Sequence, residues 1–422
     1  MTHPGTLILI MAVAVLAPLL AHAAGRRLRV PLVIFEIVLG ILIGPDVLGW
    51  AHHDEVIDTL SELGLSMLIF LAGYEIEFAA IRGDTLRRSV RAWLLSLALG
   101  LGIALALTGM DLSRSVVIGT ALTSTALGTV LPILRDSGDL RGRFGTVMMA
   151  FGAVGEFGPI IAMAVLLSGR EPGVSTVVLA AFAVITAAAV RWALRPHPPW
   201  FAQLIRTTLH TSGQFAVRFV MLLLVAMLAL SHAFGLDVLL GAFAAGLLTR
   251  LVFQGAAPES GEEVLGKVEA MGFGFLVPLF FIVTGINFDL ASLLDGGRAL
   301  LLLPVFLLLF LVVRGLPAYA LAPRDLAPAD RRALTLYSST CLPLVVAITT
   351  IGLDEGALEK GEAAALVGAA MVSVLVFPLL ALRVRAKAGK ATKTPASGGG
   401  PSSGSGSGSR SGPGSGSESE AW

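Results

Sequence analysis

A single carboxylate, Glu156, stands in the middle of the apolar stretch GTVMMAFGAVGEFGPIIAMAVLLS (145–168). An ionised carboxylate at the centre of a membrane helix costs at least ~2.5 kcal/mol, so it persists where water, an ion or a partner compensates it. The chemistry open to such a group is reversible binding of a proton or a small cation. The plainer alternative is a carboxylic acid kept protonated and hydrogen-bonded to a neighbouring helix. Gly152, Gly155 and Gly158 admit close approach of other backbones. Pro159 lacks an N–H and so frees the carbonyl one turn earlier, where a small ion could use it.

Two hydroxyl clusters are the next candidates. In TALTSTALGTVLPILRD (120–136), Thr123, Ser124 and Thr125 adjoin, with Gly128 and Pro132 predicted to interrupt the helix. Ser338, Ser339 and Thr340 precede Pro343 in the same way. Hydroxyls and unwound carbonyls are the ligands a dehydrated alkali cation needs, and broken helices near the bilayer midplane supply them. The alternative for either cluster is packing between helices or bonding to its own backbone. Arg314, deep in LLLLPVFLLLFLVVRGLPAYAL (300–321), is too far from either end to snorkel easily. It needs an anion or several carbonyls; Glu156 is the first candidate partner and helix-end carbonyls the second. Glu75, Glu77 and Glu36 lie near helix ends, either lining an inner funnel that concentrates cations or simply solvated. Histidine and methionine show no metal-ligand spacing, and no nucleophilic triad is present.

The elements that position these residues follow from composition. With 55% hydrophobic and 14% charged residues, and apolar runs of about twenty residues throughout, the chain reads as an all-α polytopic membrane protein, not a soluble enzyme. The expected spans are 5–24, 31–50, 57–79, 90–110, 113–134, 143–168, 173–194, 213–232, 235–253, 267–287, 298–321, 331–352 and 361–384, thirteen in all. The first lacks a basic region before it and is read as a retained helix rather than a cleaved signal. With the N-terminus outside, one set of loops holds only Arg114, Arg170, Arg298 and Lys360, and the other holds the arginine clusters around 26–29, 82–91, 135–143 and 324–332. The positive-inside rule then places the C-terminus in the cytoplasm, and the expected location is the cell membrane. Cys341, the single cysteine, excludes an internal disulfide.

Weak internal similarity supports an inverted repeat. MLIFLAGYEIEF (67–78) lines up with LFFIVTGINFDL (279–290), matching Gly73 with Gly285 and Glu77 with Asp289, and STAL (124–127) lines up with STCL (339–342). Seven helices separate each pair. An odd number turns the second copy upside down. The expected division is a transmembrane domain over 1–385 and a disordered Gly/Ser-rich tail over 386–422. That tail carries no glycine fingerprint of a nucleotide-binding regulatory domain.

The motifs EIVLGILIGP (36–45), LIFLAGYEIEF (68–78), TSTALGTVLPILRD (123–136), LGAFAAGLL (240–248) and PLFFIVTGINFDL (278–290) resemble those of the monovalent cation:proton antiporter-2 family, the Kef-type and sodium/proton exchangers. The resemblance runs over residues 5–385. It implies two crossed broken helices, a homodimer in membrane lipid, and exchange of Na+ or K+ for protons by elevator-like alternating access, with no cofactor and no nucleic acid. It further implies a dimerisation part (5–79 and 213–287), an ion-transport core (90–168 and 298–384) and a linking helix (173–194). The family's ion-binding carboxylate maps to Glu156, its hydroxyl ligands to Ser124 and Thr125, and its basic residue to Arg314. Gly155 stands where the family usually has a second polar residue. A proton-coupled exporter of a larger organic ion and a cation channel are the competing classes.

Overall fold

The computed structural model describes residues 3–25, 31–51, 55–75, 83–140, 142–166, 172–193, 199–208, 211, 213–256, 258–294 and 297–391. Glu77 and the tail from 392 onward lie outside the described residues.

Lipid offers no partner to a backbone N–H or C=O, so apolar runs of this length close their hydrogen bonds within each segment as helices. The first three are α1 (His3–Gly25), α2 (Leu32–Ile43) and α3 (Glu55–Glu75). Then come α4 (Asp84–Leu107), α5 (Leu112–Ala121), α6 (Leu127–Asp136), α7 (Arg143–Leu166) and α8 (Pro172–Ala193). A short α9 (Pro199–Thr208), which the sequence did not announce, leads to α10 (Phe215–Ala233), α11 (Val238–Ala256) and α12 (Pro258–Met271). A π-helical turn (Gly272–Leu276) joins α12 to α13 (Val277–Ile286), followed by α14 (Leu290–Leu294). A second π-helical turn (Phe310–Gly315) links α15 (Arg298–Leu309) to α16 (Leu316–Leu321). The chain closes with α17 (Pro328–Ser338), α18 (Pro343–Asp354) and α19 (Lys360–Ala391).

Ten segments of the described residues are long and apolar enough to cross a bilayer. The other expected spans are the shorter apolar α2, an apolar Ala180–Arg191 within α8, and the broken pair α5 and α6. Several boundaries differ from expectation: the helix of the second span closes at Ile43 rather than 50, and that of the fourth begins at Asp84 rather than 90. The tenth span begins earlier, at Ser260, and α19 runs on to Ala391, past the expected limit at 385.

The inverted repeat is visible as two copies of one helix crossing. A Cβ added at Gly285 would lie 2.2 Å from the Ile37 carbonyl oxygen, and one at Gly40 2.2 Å from that of Ile282, so α2 and α13 touch backbone to backbone. In the other copy a Cβ at Gly73 would lie 2.5 Å from the Phe243 oxygen, and one at Gly246 2.0 Å from the Phe70 oxygen, joining α3 to α11. Gly73 and Gly285 are the pair that the sequence similarity matched. Each needs to lack a side chain for the same reason.

Helices α1, α2, α3, α10, α11 and α13 pack chiefly on one another, and α4 to α7 pack with α15 to α19. Long-range ion pairs tie the second set together at both ends. Arg114 on α5 makes a two-pronged pair with Glu362 on α19, its Nε at 2.7 Å. Arg385 on α19 bonds Asp330 at 2.8 Å, lies 2.7 Å from Asp139, and covers the Phe144 ring at 3.8 Å. Arg143 pairs with Asp325 at 2.7 Å. Within the first set, Arg250 donates to the Tyr74 carbonyl at 2.8 Å. Each of these lies inside one set; across the boundary, where α7 meets α11, the rings of Phe157 and Phe243 lie 4.0 Å apart.

Candidate functional site: the crossing of two broken helices

The fifth span breaks at 122–126, between α5 and α6, rather than at Gly128 and Pro132 as the sequence suggested; both of those residues sit inside α6. The hydroxyls act first. Thr123 Oγ1 donates to the Thr120 carbonyl and Ser124 Oγ to that of Ala121, both at 2.8 Å, so α5 closes in a tight turn before the proline is reached. The twelfth span breaks where expected, over 339–342 ahead of Pro343, which starts α18. There Ser339 Oγ donates to the Thr335 carbonyl at 2.9 Å and Thr340 Oγ1 to that of Leu336 at 3.1 Å.

Unwound backbone buried in a bilayer must find partners inside the protein, and here the two breaks satisfy each other. The Ala126 N–H donates to the Thr340 carbonyl at 2.7 Å. The Thr125 N–H donates to the Gly155 carbonyl at 3.0 Å. Pro159, four residues on, has no N–H to claim that carbonyl, so the oxygen the sequence offered to an ion is bonded by Thr125 instead. On the far side Ser373 of α19 accepts from the Cys341 N–H at 3.1 Å and lies 3.0 Å from the Cys341 carbonyl. Ser373 is a stitching residue the sequence reading missed; its only signal was a lone hydroxyl in an apolar helix.

Of the six hydroxyl residues singled out by sequence, Thr123, Ser124, Ser339 and Thr340 thus bond to their own helices, and Ser338 Oγ is buried without a partner. Ser124 also bonds the Cys341 thiol of the second break, and Thr125 reaches across to two partners. Its Oγ1 donates to the Ser338 carbonyl at 2.6 Å and accepts from Arg314 Nε at 2.9 Å.

Arg314, fully buried, rises from the second π-helical turn. Its Nη2 donates to the Phe151 carbonyl at 2.6 Å, while Nη1 has no hydrogen-bond partner. The expected pairing with Glu156 is not made; a carbonyl and a hydroxyl take the guanidinium instead. Gly155 explains the geometry. A Cβ there would lie 2.3 Å from Arg314 Nη2 and 2.4 Å from Thr125 Oγ1. The neighbouring glycines of α7 also receive side chains, Leu127 at Gly152 and the Trp93 ring at Gly158.

Glu156 is 3% exposed, the next residue along α7. The backbone N–H of Gly128, second residue of α6, is directed at its carboxylate. The first N–H groups of a helix are unpaired along the axis and carry partial positive charge, so this helix start favours an anion. This helix start offsets only part of the cost of burying the charge, and Arg314, bonded to Thr125 and Phe151, does not offset the rest. A bound proton or monovalent cation neutralises the carboxylate.

A cavity of about 790 Å³ approaches this point from the end of the bundle that bears Pro31, Ser137 and Leu382, and its lining includes Glu36, Glu269 and Gly128. Glu75 borders a smaller space beside it, again with Glu269 and Gly128. Glu36 and Glu75 therefore both face the approach to Gly128. Glu269 was missed because the reading put it at a span's first turn, where a charge is unremarkable; the longer α12 carries it onto the cavity wall.

The sequence of residues 11–382 matches the family model described as the transmembrane sodium/hydrogen exchanger. The chain belongs to that family. Among relatives of this chain, YjbQ of Bacillus subtilis (strain 168) is 26% identical over 405 residues, which cover 90% of this chain and 62% of YjbQ. The chain thus spans about three fifths of that relative's length. The Na(+)/H(+)-K(+) antiporter GerN of Bacillus cereus is 27% identical over 285 residues, 66% of this chain and 70% of its own. In solved structures the fold is that of the sodium proton antiporter MjNhaP1 from Methanocaldococcus jannaschii, with a TM-score of 0.65 at 15% identity over 91% of this chain and 97% of that one.

Proposed function

We propose that this exchanger carries a monovalent cation, Na+ or K+, in one direction and protons in the other across the cell membrane, with Glu156 as the shared binding group. The observation that carries the reading is one buried carboxylate at a helix start, at the crossing of two broken helices, with a cavity from one end that extends to the neighbouring Gly128. Proton and cation compete for it because either neutralises a charge that the membrane interior disfavours. If the α4–α7 and α15–α19 set moves only when the carboxylate is neutral, exchange is obligatory. The ring contact of Phe157 and Phe243 across the boundary, against ion pairs kept within one set, fits an elevator-like slide of a rigid core (90–168 and 298–384) along a dimerisation part (5–79 and 213–287), with 173–194 linking them. Kef-type membership, a homodimer and an outside N-terminus belong to the same proposal, and the similarity to the Na(+)/H(+)-K(+) antiporter GerN supports both Na+ and K+ as cargo.

The test is cation-dependent dequenching of a pH dye in proteoliposomes, comparing Na+, K+ and Li+. Dequenching by at least one of them is expected; none with any of the three overturns the reading. A second reading, export of a larger organic cation, draws on the cavity's volume and its largely apolar walls. It predicts that an amphipathic ammonium dequenches where the alkali ions do not. A channel would instead give single-channel currents.

Two predictions follow from the site. Thr125→Ala removes the acceptor of a buried arginine and the donor to Ser338, a loss of ~1–3 kcal/mol. It is expected to raise the apparent cation KM about tenfold, which corresponds to ~1.4 kcal/mol, with a smaller fall in maximal rate. An unchanged KM places the site elsewhere. The second concerns charge. With Gly155 before it, Glu156 is the titratable group at the crossing, and Arg314 stays protonated because a guanidinium does not release its proton at physiological pH. Exchange should be one to one and electroneutral. The reversal point of cation-driven proton flux, measured with the membrane potential clamped at zero and at a negative value, should not shift; a shift requires a second proton carrier, for which Glu75 is the first candidate.

A further inference from the structure

We propose that Gly155 is a positioning residue, the socket into which Arg314 is fitted, and that the two form a matched pair setting cation affinity at the neighbouring Glu156. The role in affinity rests on the exchange reading above; the socket itself does not.

A glycine before the carboxylate looks like a missing ligand in the sequence. In the structure the space is occupied. A Cβ at 155 would come within 2.3 Å of Arg314 Nη2 and 2.4 Å and 2.8 Å of the Thr125 Oγ1 and Cβ. Real Cβ atoms do not approach so closely, so something must shift. A flexible arginine end usually gives way cheaply. This one is fully buried, with Nη2 held by the Phe151 carbonyl at 2.6 Å and Nε by Thr125 at 2.9 Å. Moving it breaks one of those bonds or both, in a medium with no water to replace them.

The bonds in question are the ones that set the crossing. Phe151 lies on α7 one turn before Gly155, so Arg314 braces the turn that presents Glu156. Thr125, which the same guanidinium orients, donates to Ser338 and so ties the first break to the second. Gly315, the next residue, shows the same closeness: a Cβ there would lie 2.7 Å from Ser339 Oγ. The π-helical turn over 310–315 thus presses one residue's guanidinium onto α7 and the next residue's bare backbone onto the second break. A side chain at 155 and an arginine at 314 exclude each other. A lysine, with a single terminal nitrogen in place of the planar fork, leaves room for a small side chain at 155.

The experiment is a double-mutant cycle on the full chain, with Gly155→Ala, Arg314→Lys and both together, read by melting temperature in detergent and by apparent cation KM in proteoliposomes. Gly155→Ala is expected to lower the melting temperature and to raise KM about tenfold. The double variant should recover most of both losses relative to Gly155→Ala. Gly152→Ala, whose Cβ meets the end of Leu127, serves as the control and should gain nothing from Arg314→Lys. Should Gly155→Ala yield no folded protein, recovery of folded protein by Arg314→Lys reports the same coupling. Additive melting temperatures overturn the socket. Coupled melting temperatures with KM equal to wild type in the folded variants overturn the positioning role. The melting cycle needs no transport, so a chain that exchanges no cation would defeat the proposed function while leaving the socket measurable.

Discussion

Glu156→Gln should give a folded protein that exchanges no cation for protons, at least a hundredfold below wild type. The amide keeps the volume and still presents an oxygen to the Gly128 N–H, so the packing of α6 against α7 survives. What it loses is the ability to release a proton or to balance a cation. Because Arg314 is held by Phe151 and Thr125 rather than by Glu156, neutralising position 156 leaves no arginine stranded, and stability should change little. The check is size-exclusion behaviour together with dequenching in proteoliposomes. Exchange at the wild-type rate by well-folded Glu156→Gln protein would falsify the assignment.

The second large effect is structural. Gly285→Val should prevent assembly of the α2–α13 crossing, because even its first carbon would lie 2.2 Å from the Ile37 oxygen and 2.9 Å from the Gly40 Cα. Both obstacles are backbone, which cannot swing aside as a side chain can. Overpacking of well-filled cores typically costs ~1–3 kcal/mol, more where nothing can relax, and this site is at the upper end. Gly102→Val, where a Cβ meets nothing within 4 Å, is the matched control. Expected is loss of monodisperse protein for Gly285→Val with a normal yield for Gly102→Val; equal yields would show that the crossing is looser than described.

Much of this arrangement is legible in the sequence, and the reasons are specific. Helices are forced by lipid, so runs such as 300–321 declare themselves by length. The second copy of the repeat declares itself through Gly73 and Gly285, because a backbone crossing tolerates one residue type and leaves a mark even at low similarity. Glu156 and Arg314 stand out because charge is costly where they lie. What the sequence does not carry is who bonds whom. Arg314 has several acceptors within reach in composition terms, and the choice of Phe151 over Glu156 depends on a π-helical turn that no local pattern announces. The hydroxyls of Thr123 and Ser124 suit a cation and their own backbone equally well, and only the geometry of the turn separates the two uses. Gly155 reads as an absence until the guanidinium beside it is seen.

Phe157 follows Glu156 directly, and its ring lies 4.0 Å from that of Phe243 at an angle of 38°. On the proposed slide, the carboxylate cannot travel without dragging that ring off its partner, a contact of ~0.5–1.5 kcal/mol beyond its buried area. The two rings then act as a detent, holding the core at its resting position until the load is complete. On that proposal, such a catch makes turnover sensitive to temperature in a way affinity is not. Filing it down, with Phe243→Leu, should quicken the stroke at the expense of tightness, letting protons slip through uncoupled.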